Sequence, residues 1–158
     1  MTRSAIYPGS FDPMTLGHVN IVERALDVFD EVVVAVLRHP EKQAMFTVAE
    51  RVEMMERIFI DRPQVKVESF DGLLVDYVRN RGSRTVIRGL RAVQDFEYEF
   101  QMTMMNRRLA PEVDTVFMMT DEEYFYIASR TVKEVAALGG DITGLVPELV
   151  ATEMQRKC

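Results

Sequence analysis

Residues 5–18 read AIYPGSFDPMTLGH. The first three form a short apolar run that is typical of a buried strand, and the proline-bounded turn after them brings Thr15, Gly17 and His18 to the start of a helix. Backbone N–H groups at a helix N-terminus lack intrahelical partners and carry the positive end of the helix dipole, so they stabilise an anion placed there. This segment therefore predicts a strand–loop–helix phosphate site to which His18 adds a side chain.

Hydrophobic patterning in the rest of the chain indicates alternating strands and helices. Apolar runs predict further strands at residues 32–37, 65–70, 85–87 and 114–119, and the second of these alternates as a strand near a sheet edge does. Helical spacing runs from His18 to Phe29, and a further helix is predicted at residues 95–109. Later helix bounds are indicated by a capping box at Thr47, a stop at Gly82, an N-cap at Ser129 and a proline in a first turn, Pro147.

This alternation predicts an α/β fold. We expect one doubly wound, Rossmann-like domain over residues 1–158, with a five-stranded parallel sheet and helices on both faces. Ligands of such sheets bind beyond the carboxyl ends of the strands, so the polar residues that follow the strands should converge on one crevice. These candidates are Ser10, His18, Lys42, Arg88 and Arg91.

Composition limits the class of protein. A chain of 158 residues that is 47% hydrophobic and 28% charged is typical of a soluble globular domain, and a net charge of −6 argues against general nucleic-acid binding. Without a long apolar run or a signal-like N-terminus, we expect a cytoplasmic protein that does not associate with membranes. The one cysteine, Cys158, and the absence of His or Cys pairs at metal-ligand spacing predict no disulfide framework and no metal held by the protein alone.

Each candidate residue also has an ordinary structural explanation. His18 could merely cap or pack at the helix start, Arg88 and Arg91 could form surface ion pairs, and Lys42 could be a solvated loop lysine. The acids at positions 95, 97 and 99 could form a charged helix face, and the methionines and aromatic residues of that helix could be core or subunit-contact residues. The position of the arginines after an apolar strand favours a ligand role, because guanidinium groups suit phosphate.

Two motifs together resemble a known family. Residues 7–13 followed by Thr15-Leu16-Gly17-His18 resemble the T/H-x-G-H signature of the nucleotidyltransferase superfamily, whereas no Walker A loop or G-x-G-x-x-G fingerprint is present. With Arg88-Gly89-Leu90-Arg91 and the acidic run DFEYE at residues 95–99, the chain resembles the phosphopantetheine adenylyltransferase family from about residue 5 to residue 147. The resemblance implies an enzyme that joins ATP and 4′-phosphopantetheine into dephospho-coenzyme A and pyrophosphate, with Mg²⁺ arriving with ATP. It also implies a homohexamer.

The resemblance also implies roles for individual residues. His18 would stabilise the pentavalent α-phosphorus in the transition state, and Ser10 would contact the reacting phosphates. Lys42 and Arg88 would hold the phosphate of phosphopantetheine, with Leu74 along the path of its pantetheine arm. The ATP site would comprise Ser10, Phe11, His18, Gly89, Leu90, Arg91, Glu99, Tyr124, Phe125, Tyr126, Ile127, Ala128, Ser129 and Arg130.

The sequence departs from the family pattern at one place. Where the family has I-S-S-S or I-S-S-T, this chain reads Ile127-Ala128-Ser129-Arg130, so only the middle serine is retained. Arg130 could replace the missing hydroxyl as a phosphate ligand, or it could turn to solvent and pair with Glu134. Two other functions remain open. One is transfer of an adenylyl or cytidylyl group to a different phosphorylated acceptor, such as nicotinate mononucleotide, and the other is a non-catalytic nucleotide sensor.

Overall fold

Five parallel strands form a sheet in the order β3-β2-β1-β4-β5. The computed structural model describes residues 1–39, 43–91 and 93–158, and the side chains of all of these except Val93 and Gln94. The strands are β1 Ser4–Gly9, β2 Glu31–Leu37, β3 Val65–Phe70, β4 Thr85–Leu90 and β5 Asp114–Met119. The predicted five-stranded parallel sheet is confirmed, and β3 lies at an edge as its alternating pattern indicated.

Six helices connect or follow these strands within the described ranges. They are α1 Leu16–Leu26, α2 Val48–Ile58, α3 Leu74–Asn80, α4 Val93–Leu109, α5 Ser129–Ala137 and α6 Glu148–Lys157. A short 3-10 turn, Glu122–Tyr124, lies between β5 and α5. The predicted capping box at the start of α2 is confirmed, because Glu50 N donates to Thr47 Oγ1 at 3.1 Å and Thr47 N donates to Glu50 Oε2 at 2.8 Å.

Helices cover both faces of the sheet, as predicted. Successive strand residues point to opposite faces, so β2 contributes Val32, Val34 and Val36 to one face and Val33 and Ala35 to the other. All five are buried, which explains why the sequence of β2 shows no polar alternation. The first face packs against α1 and α2, and the second packs against α3 and the residues that follow α4. A third cluster joins α5 and α6 to α2 through Phe46, Met54, Val132, Val150 and Met154.

Several predicted helix bounds are wrong; α4, for example, begins at Val93, before its predicted start at residue 95. α1 ends at Leu26, so Phe29 lies beyond it and packs partly against the first face. The N-cap of α5 is Ala128, with extended backbone at φ −131° and ψ 142°, and Ser129 is the first helical residue. The Ser129 hydroxyl donates to the carbonyl oxygen of Pro13 at 2.8 Å, so a tertiary contact uses the group that would otherwise cap the helix. Pro147 is the N-cap of α6 and does not lie in its first turn.

The strand order creates the crevice in which a site can form. β1 pairs with β2 on one side and with β4 on the other, so the winding of the chain reverses between β1 and β4. In doubly wound sheets this reversal leaves a crevice beyond the carboxyl ends of the strands. Within the described ranges no helix is long and apolar enough to cross a membrane.

Candidate active site

Two adjoining cavities lie at the carboxyl ends of the strands. The first cavity, of about 340 Å³, is lined by residues from the ends of β1, β4 and β5 and from the first turns of α1 and α5. The second cavity, of about 460 Å³, lies between the loop after β1, the start of α2 and the start of α5. Both cavities share four lining residues, which are Phe11, His18, Ser129 and Arg130.

His18 stands at the border of the two cavities with a defined tautomer. It is the third residue of α1 and completes a capping box with Thr15: Thr15 N donates to His18 Nδ1 at 2.9 Å, and His18 N donates to Thr15 Oγ1 at 3.3 Å. Because Nδ1 accepts a hydrogen bond from a backbone N–H, the ring proton of the neutral imidazole resides on Nε2. Burial, aided by the nearby Arg91 guanidinium, lowers the pKa of His18 to about 4. At neutral pH His18 is therefore an uncharged Nε2–H donor.

Phe11 holds the imidazole from one side. Its backbone adopts the left-handed region with φ +48°, a conformation that is costly for a residue with a Cβ and that often occurs at functional sites. Its buried ring lies edge-on to the His18 ring, with centroids 5.1 Å apart. A Cβ added at Gly9 would lie 3.0 Å from Phe11 Cζ, so a side chain at residue 9 would crowd the aromatic ring in this position.

The predicted arginines line the first cavity and are already paired with acids of α4. β4 continues to Leu90, beyond its predicted end at residue 87, so Arg88 lies within the strand and does not follow it. Arg88 Nε lies 3.2 Å from Glu99 Oε2, and both side chains are mostly buried. Arg91 Nε donates to Asp95 Oδ2 at 3.2 Å, and Arg91 Nη1 donates to the carbonyl oxygen of Ile127 at 2.9 Å. Arg91 thereby joins the end of β4 to α4 and to the segment before α5.

Several side chains that line the first cavity carry no formal charge. Burial raises the pKa of the Tyr7 phenol, so its hydroxyl stays protonated at neutral pH. A Cβ at Gly89 would lie 3.1 Å from Ile21 Cγ1 and 3.5 Å from the Tyr7 hydroxyl, so a side chain at this position would crowd Ile21.

Two buried side-chain oxygens that border this cavity lack a hydrogen-bond partner in the described part of the chain. They are Thr120 Oγ1 and Glu99 Oε2, and the contact of the latter with Arg88 is an ion pair without hydrogen-bond geometry. Buried polar atoms are nearly always satisfied in folded proteins. Unsatisfied oxygens on a cavity wall are therefore typical of a site that receives a polar ligand.

Three residues of the second cavity were missed by sequence reasoning. Arg51 is buried and donates to the carbonyl oxygens of Ser10, Phe46 and Thr47, at 2.7, 3.1 and 3.3 Å. Asp12 accepts hydrogen bonds from the segment before α2, and Lys133 of α5 lies beside it. Asp12 lies inside the conspicuous first motif. Arg51 and Lys133 carry no local signal, because a single cation on an amphipathic helix usually faces solvent.

Comparison with known proteins identifies the family of this chain. A family model described as cytidylyltransferase-like matches residues 6–135. A phosphopantetheine adenylyltransferase of Anaeromyxobacter dehalogenans (strain 2CP-C) is 55% identical over 157 residues, which are 99% of this chain and 96% of that protein. The chain belongs to the phosphopantetheine adenylyltransferase family. Proteins of the same name from Clostridium kluyveri and Geobacter sulfurreducens are 54% and 52% identical over 97% and 99% of this chain, and the matches cover 93% and 95% of those proteins.

The structure brings many of the residues expected from the family to these cavities. Gly89, Arg91, Glu99, Ile127 and Ala128 line the first cavity together with Arg88, and Ser10 lines the second. Other expected residues are not among those that line either cavity in the described part of the chain; these are Leu74, Leu90, Tyr124, Phe125 and Tyr126. Leu74 packs against the second face of the sheet, Tyr124 packs partly against the third cluster, and Tyr126 is 94% exposed. Lys42 lies outside the described residues.

Arg130 occupies the place where the family pattern is broken. Its side chain is 90% exposed, and its Nε lies 3.4 Å from Glu134 Oε1, one helical turn further along α5. It also borders both cavities, beside the first turn of a helix whose N–H groups are available to an anion. The ion pair foreseen with Glu134 is therefore present, and a phosphate contact by Arg130 remains a prediction.

The side chains present suit a metal ion that is held mainly by a nucleotide. Mg²⁺ in such sites is bound by one or two carboxylates, by water and by phosphate oxygens. Glu99 and Asp12 are the carboxylates of these two cavities among the described residues, and each lies beside a cation. Over the same residues, no group of three or more His, Cys, Asp or Glu side chains forms a metal cage.

Proposed function

We propose that this protein transfers the adenylyl group of ATP to 4′-phosphopantetheine, giving dephospho-coenzyme A and pyrophosphate, as the names of its relatives indicate. The observation that supports this function best is the neutral Nε2–H donor of His18 at the border of two cavities lined by cationic side chains. A donor at such a border can donate to an oxygen of a phosphate group whose phosphorus receives one group from one side and loses another to the opposite side.

The reaction we propose needs no side-chain nucleophile. An oxygen of the acceptor phosphate forms a bond to the α-phosphorus of ATP, the bond from that phosphorus to the bridging oxygen breaks, and its electron pair leaves with pyrophosphate. Most of the catalysis then comes from aligning the two substrates and stabilising the charge that develops on the α-phosphate oxygens. Mg²⁺ bound with the nucleotide would neutralise part of the phosphate charge.

The residues divide this work between them. His18 donates from Nε2 to the α-phosphate, and the first-turn N–H groups of α5 face the phosphates. Arg88, with Lys42, binds the acceptor phosphate, and Leu74 contacts the pantetheine arm. Ser10 contacts the reacting phosphates, and Gly89, Arg91 and Glu99 belong to the ATP site. The ATP site further includes Phe11, Leu90, Tyr124, Phe125, Tyr126, Ile127, Ala128, Ser129 and Arg130.

The deciding experiment measures pyrophosphate release by the purified protein. ATP is supplied with 4′-phosphopantetheine, with nicotinate mononucleotide, and without an acceptor, and a fourth reaction replaces ATP by CTP because the matching family model is cytidylyltransferase-like. Release of pyrophosphate in the reaction with ATP and 4′-phosphopantetheine, and in none of the other three, supports the proposal. Release with another acceptor or with CTP would assign a different transfer, and ATP binding without release under any condition would indicate a nucleotide sensor.

We also propose that the protein forms a homo-oligomer, a hexamer by family resemblance, and works in the cytoplasm, where ATP-dependent biosynthesis takes place. Helix α4 and the neighbouring strand β5 expose many large apolar side chains: Phe96, Tyr98, Phe100, Met102, Met104, Met105, Leu109, Val116 and Met119. An exposed apolar surface of this extent is unusual for a monomer and is typical of an interface. Because α4 also carries Glu99 and Asp95, contacts at this surface would support the first cavity.

A further inference from the structure

Asp12 holds a buried carboxylate at the point where three segments meet. Its side chain is 7% exposed, and its two oxygens accept hydrogen bonds from Met45 N and Phe46 N, at 2.9 Å each. Lys133 Nζ, on α5, lies 3.2 Å from Asp12 Oδ2. The backbone donors are neutral, so in the described part of the chain Lys133 supplies the positive charge in contact with this carboxylate. A buried carboxylate without such a partner would be costly.

The ammonium group of Lys133 has N–H donors that its hydrogen bond to Asp12 does not use. An ammonium group carries three N–H donors, and Asp12 is its one hydrogen-bond partner among the described side chains and carbonyls. The Lys133 side chain is 31% exposed, far more than that of Asp12, and it lines the second cavity. Asp12 thus positions the ammonium group, and the cavity gives an anion access to it.

Three other basic side chains on the wall of the second cavity are differently placed. Arg51 is 6% exposed, and three backbone carbonyl oxygens occupy its guanidinium group. Arg130 is 90% exposed and paired with Glu134. His18 is neutral because its pKa is lowered to about 4. Of these described side chains, Lys133 alone combines a fixed position, partial burial and available donors.

We propose that Lys133, positioned by Asp12, binds the β- and γ-phosphates of the nucleotide and the pyrophosphate that leaves. This inference rests on the proposed function. His18 and Ser129 line both cavities, which places the reacting phosphorus at their border, whereas Arg88, the proposed partner of the acceptor phosphate, lines the first cavity only. Because the attacking and leaving oxygens are roughly in line, the leaving group lies on the opposite side, toward Lys133. The electron pair of the broken bond leaves on pyrophosphate, beside the ammonium group.

The test compares Lys133→Gln with the double variant Asp12→Asn/Lys133→Gln. Calorimetry measures the Kd of inorganic pyrophosphate without turnover, and steady-state assays measure the KM for ATP and the KM for the acceptor phosphopantetheine. We expect the Kd of pyrophosphate and the KM for ATP to rise about tenfold or more in both variants, because a charge-assisted contact is lost. The KM for the acceptor should change less than about threefold, well below the effect of one such contact. Lys133→Arg should recover much of the pyrophosphate affinity.

The double variant separates binding from structure, because it removes the charge of Lys133 without leaving a buried carboxylate unpaired. Recovery of pyrophosphate affinity in the double variant would mean that Lys133 only stabilises Asp12, and an effect confined to the acceptor would assign the cavity to phosphopantetheine. Either result, or an unchanged Kd in both variants, overturns the proposal. Lys157→Gln is the matched control, since Lys157 pairs with Glu50 at 3.0 Å and is 35% exposed but lines neither cavity. A wild type that binds pyrophosphate but does not transfer adenylyl groups would contradict the proposed function, and the comparison of pyrophosphate Kd values would remain valid.

Discussion

At the scale of single residues, the hydrogen bonds of His18 define the chemistry available to it. Its Nδ1 is occupied by the Thr15 N–H, so it cannot take up a proton there without placing two donors against each other. Its remaining nitrogen is a neutral donor, well suited to stabilise an oxyanion and poorly suited to act as a general base. His18 could instead have been a histidine that merely caps the helix. Its side chain does cap α1, but it also lines both cavities.

His18→Ala should lower kcat at least ~10²-fold while the affinity for ATP changes by only a few-fold. A donor that acts mainly on transition-state charge contributes little to ground-state binding. Turnover under saturating substrates and equilibrium binding of ATP measure the two effects separately. Weakened binding with unchanged turnover of bound substrate would make His18 a positioning residue.

The lowered pKa of His18 should appear both in its titration and in the stability of the fold. The chain has two histidines, so the imidazole signals of His18 and the exposed His39 can be followed separately by NMR. His18 should titrate near pH 4, well below the ordinary pKa of 6.5. Between these values the unfolded chain binds a proton that the folded protein does not, so stability rises with pH through this window and gains nothing more from this group above it.

This stability component is on the order of 3 kcal/mol, because the pKa falls from 6.5 to about 4 and each pKa unit corresponds to about 1.36 kcal/mol. Urea unfolding between pH 4 and pH 7 measures it. His18→Gln cannot titrate and should lose this part of the pH dependence. A His18 midpoint near pH 6.5 would be incompatible with the neutral-donor role at mildly acidic pH.

Arg88→Ala should raise the KM for the acceptor phosphopantetheine far more than the KM for ATP. A charge-assisted contact to the acceptor phosphate contributes roughly 1.5–3 kcal/mol, or about 10- to 100-fold. A control is needed, because Arg88→Ala also leaves the largely buried Glu99 carboxylate without its cation. Arg88→Ala/Glu99→Gln removes that second effect and should keep the preferential loss for the acceptor. Equal losses for both substrates would assign Arg88 to the ATP side or to the fold.

At the scale of secondary-structure elements, the first turn of α5 joins the two cavities. Ser129 fastens it to Pro13, and the capping position falls on Ala128, which has no side-chain acceptor for the first-turn N–H groups. These groups are therefore available to phosphate oxygens, and the positive end of the helix dipole favours an anion there. A cation such as Arg130 in this turn is unfavourable with respect to the dipole unless an anion compensates it.

Arg130→Ser tests whether Arg130 binds a phosphate group of ATP or pairs only with Glu134. We expect the affinity for ATP to fall roughly tenfold or more at low salt and the difference to shrink as salt is added, because the contact is an exposed charge pair. Glu134→Gln is the companion variant, and it should preserve or increase the affinity because it releases Arg130 from its pair in α5. An unchanged affinity of Arg130→Ser for ATP at both salt concentrations would mean that Arg130 is a surface residue that pairs with Glu134 and does not contact phosphate.

At the scale of the whole molecule, α4 links the site to the outer surface. Its inward side chain Glu99 pairs with Arg88 in the first cavity, while aromatic and methionine side chains of the same helix are exposed to solvent. Stable interfaces have apolar centres of this kind. Association of subunits through α4 would therefore bear directly on the position of Glu99 and the guanidinium group that it holds.

Met105→Glu should dissociate the proposed oligomer and reduce activity. Met105 is 53% exposed on α4, and a carboxylate buried there without a partner in an interface is unfavourable. Light scattering coupled to size exclusion at low protein concentration measures the mass of wild type and variant. Ile60→Glu is the control, since Ile60 is 76% exposed but follows α2 and lies outside this surface. A stable wild-type monomer would contradict the proposed assembly.

Local sequence patterns predicted much of the arrangement of strands and helices. The unbroken apolar run of β2, the alternation of β3 and the Thr47 capping box each correspond to an observed element, because hydrophobic period and capping depend on residues that are neighbours in the chain. The first motif predicted a phosphate site, and Phe11 and His18 of that motif line both cavities, while phosphate binding there stays a prediction. The family resemblance then named many of the residues that line the first cavity.

Contacts between distant segments could not be read in this way. Lys133 lies 121 residues from Asp12, and Ser129 lies 116 residues from Pro13, so no local period encodes either pair. The pairing of Arg88 with Glu99 and the tautomer of His18 depend on distances of about 3 Å, which only the packed sheet and helices determine. Propensity acts over a few residues, whereas a hydrogen bond or ion pair between separate elements requires the tertiary structure to bring them together.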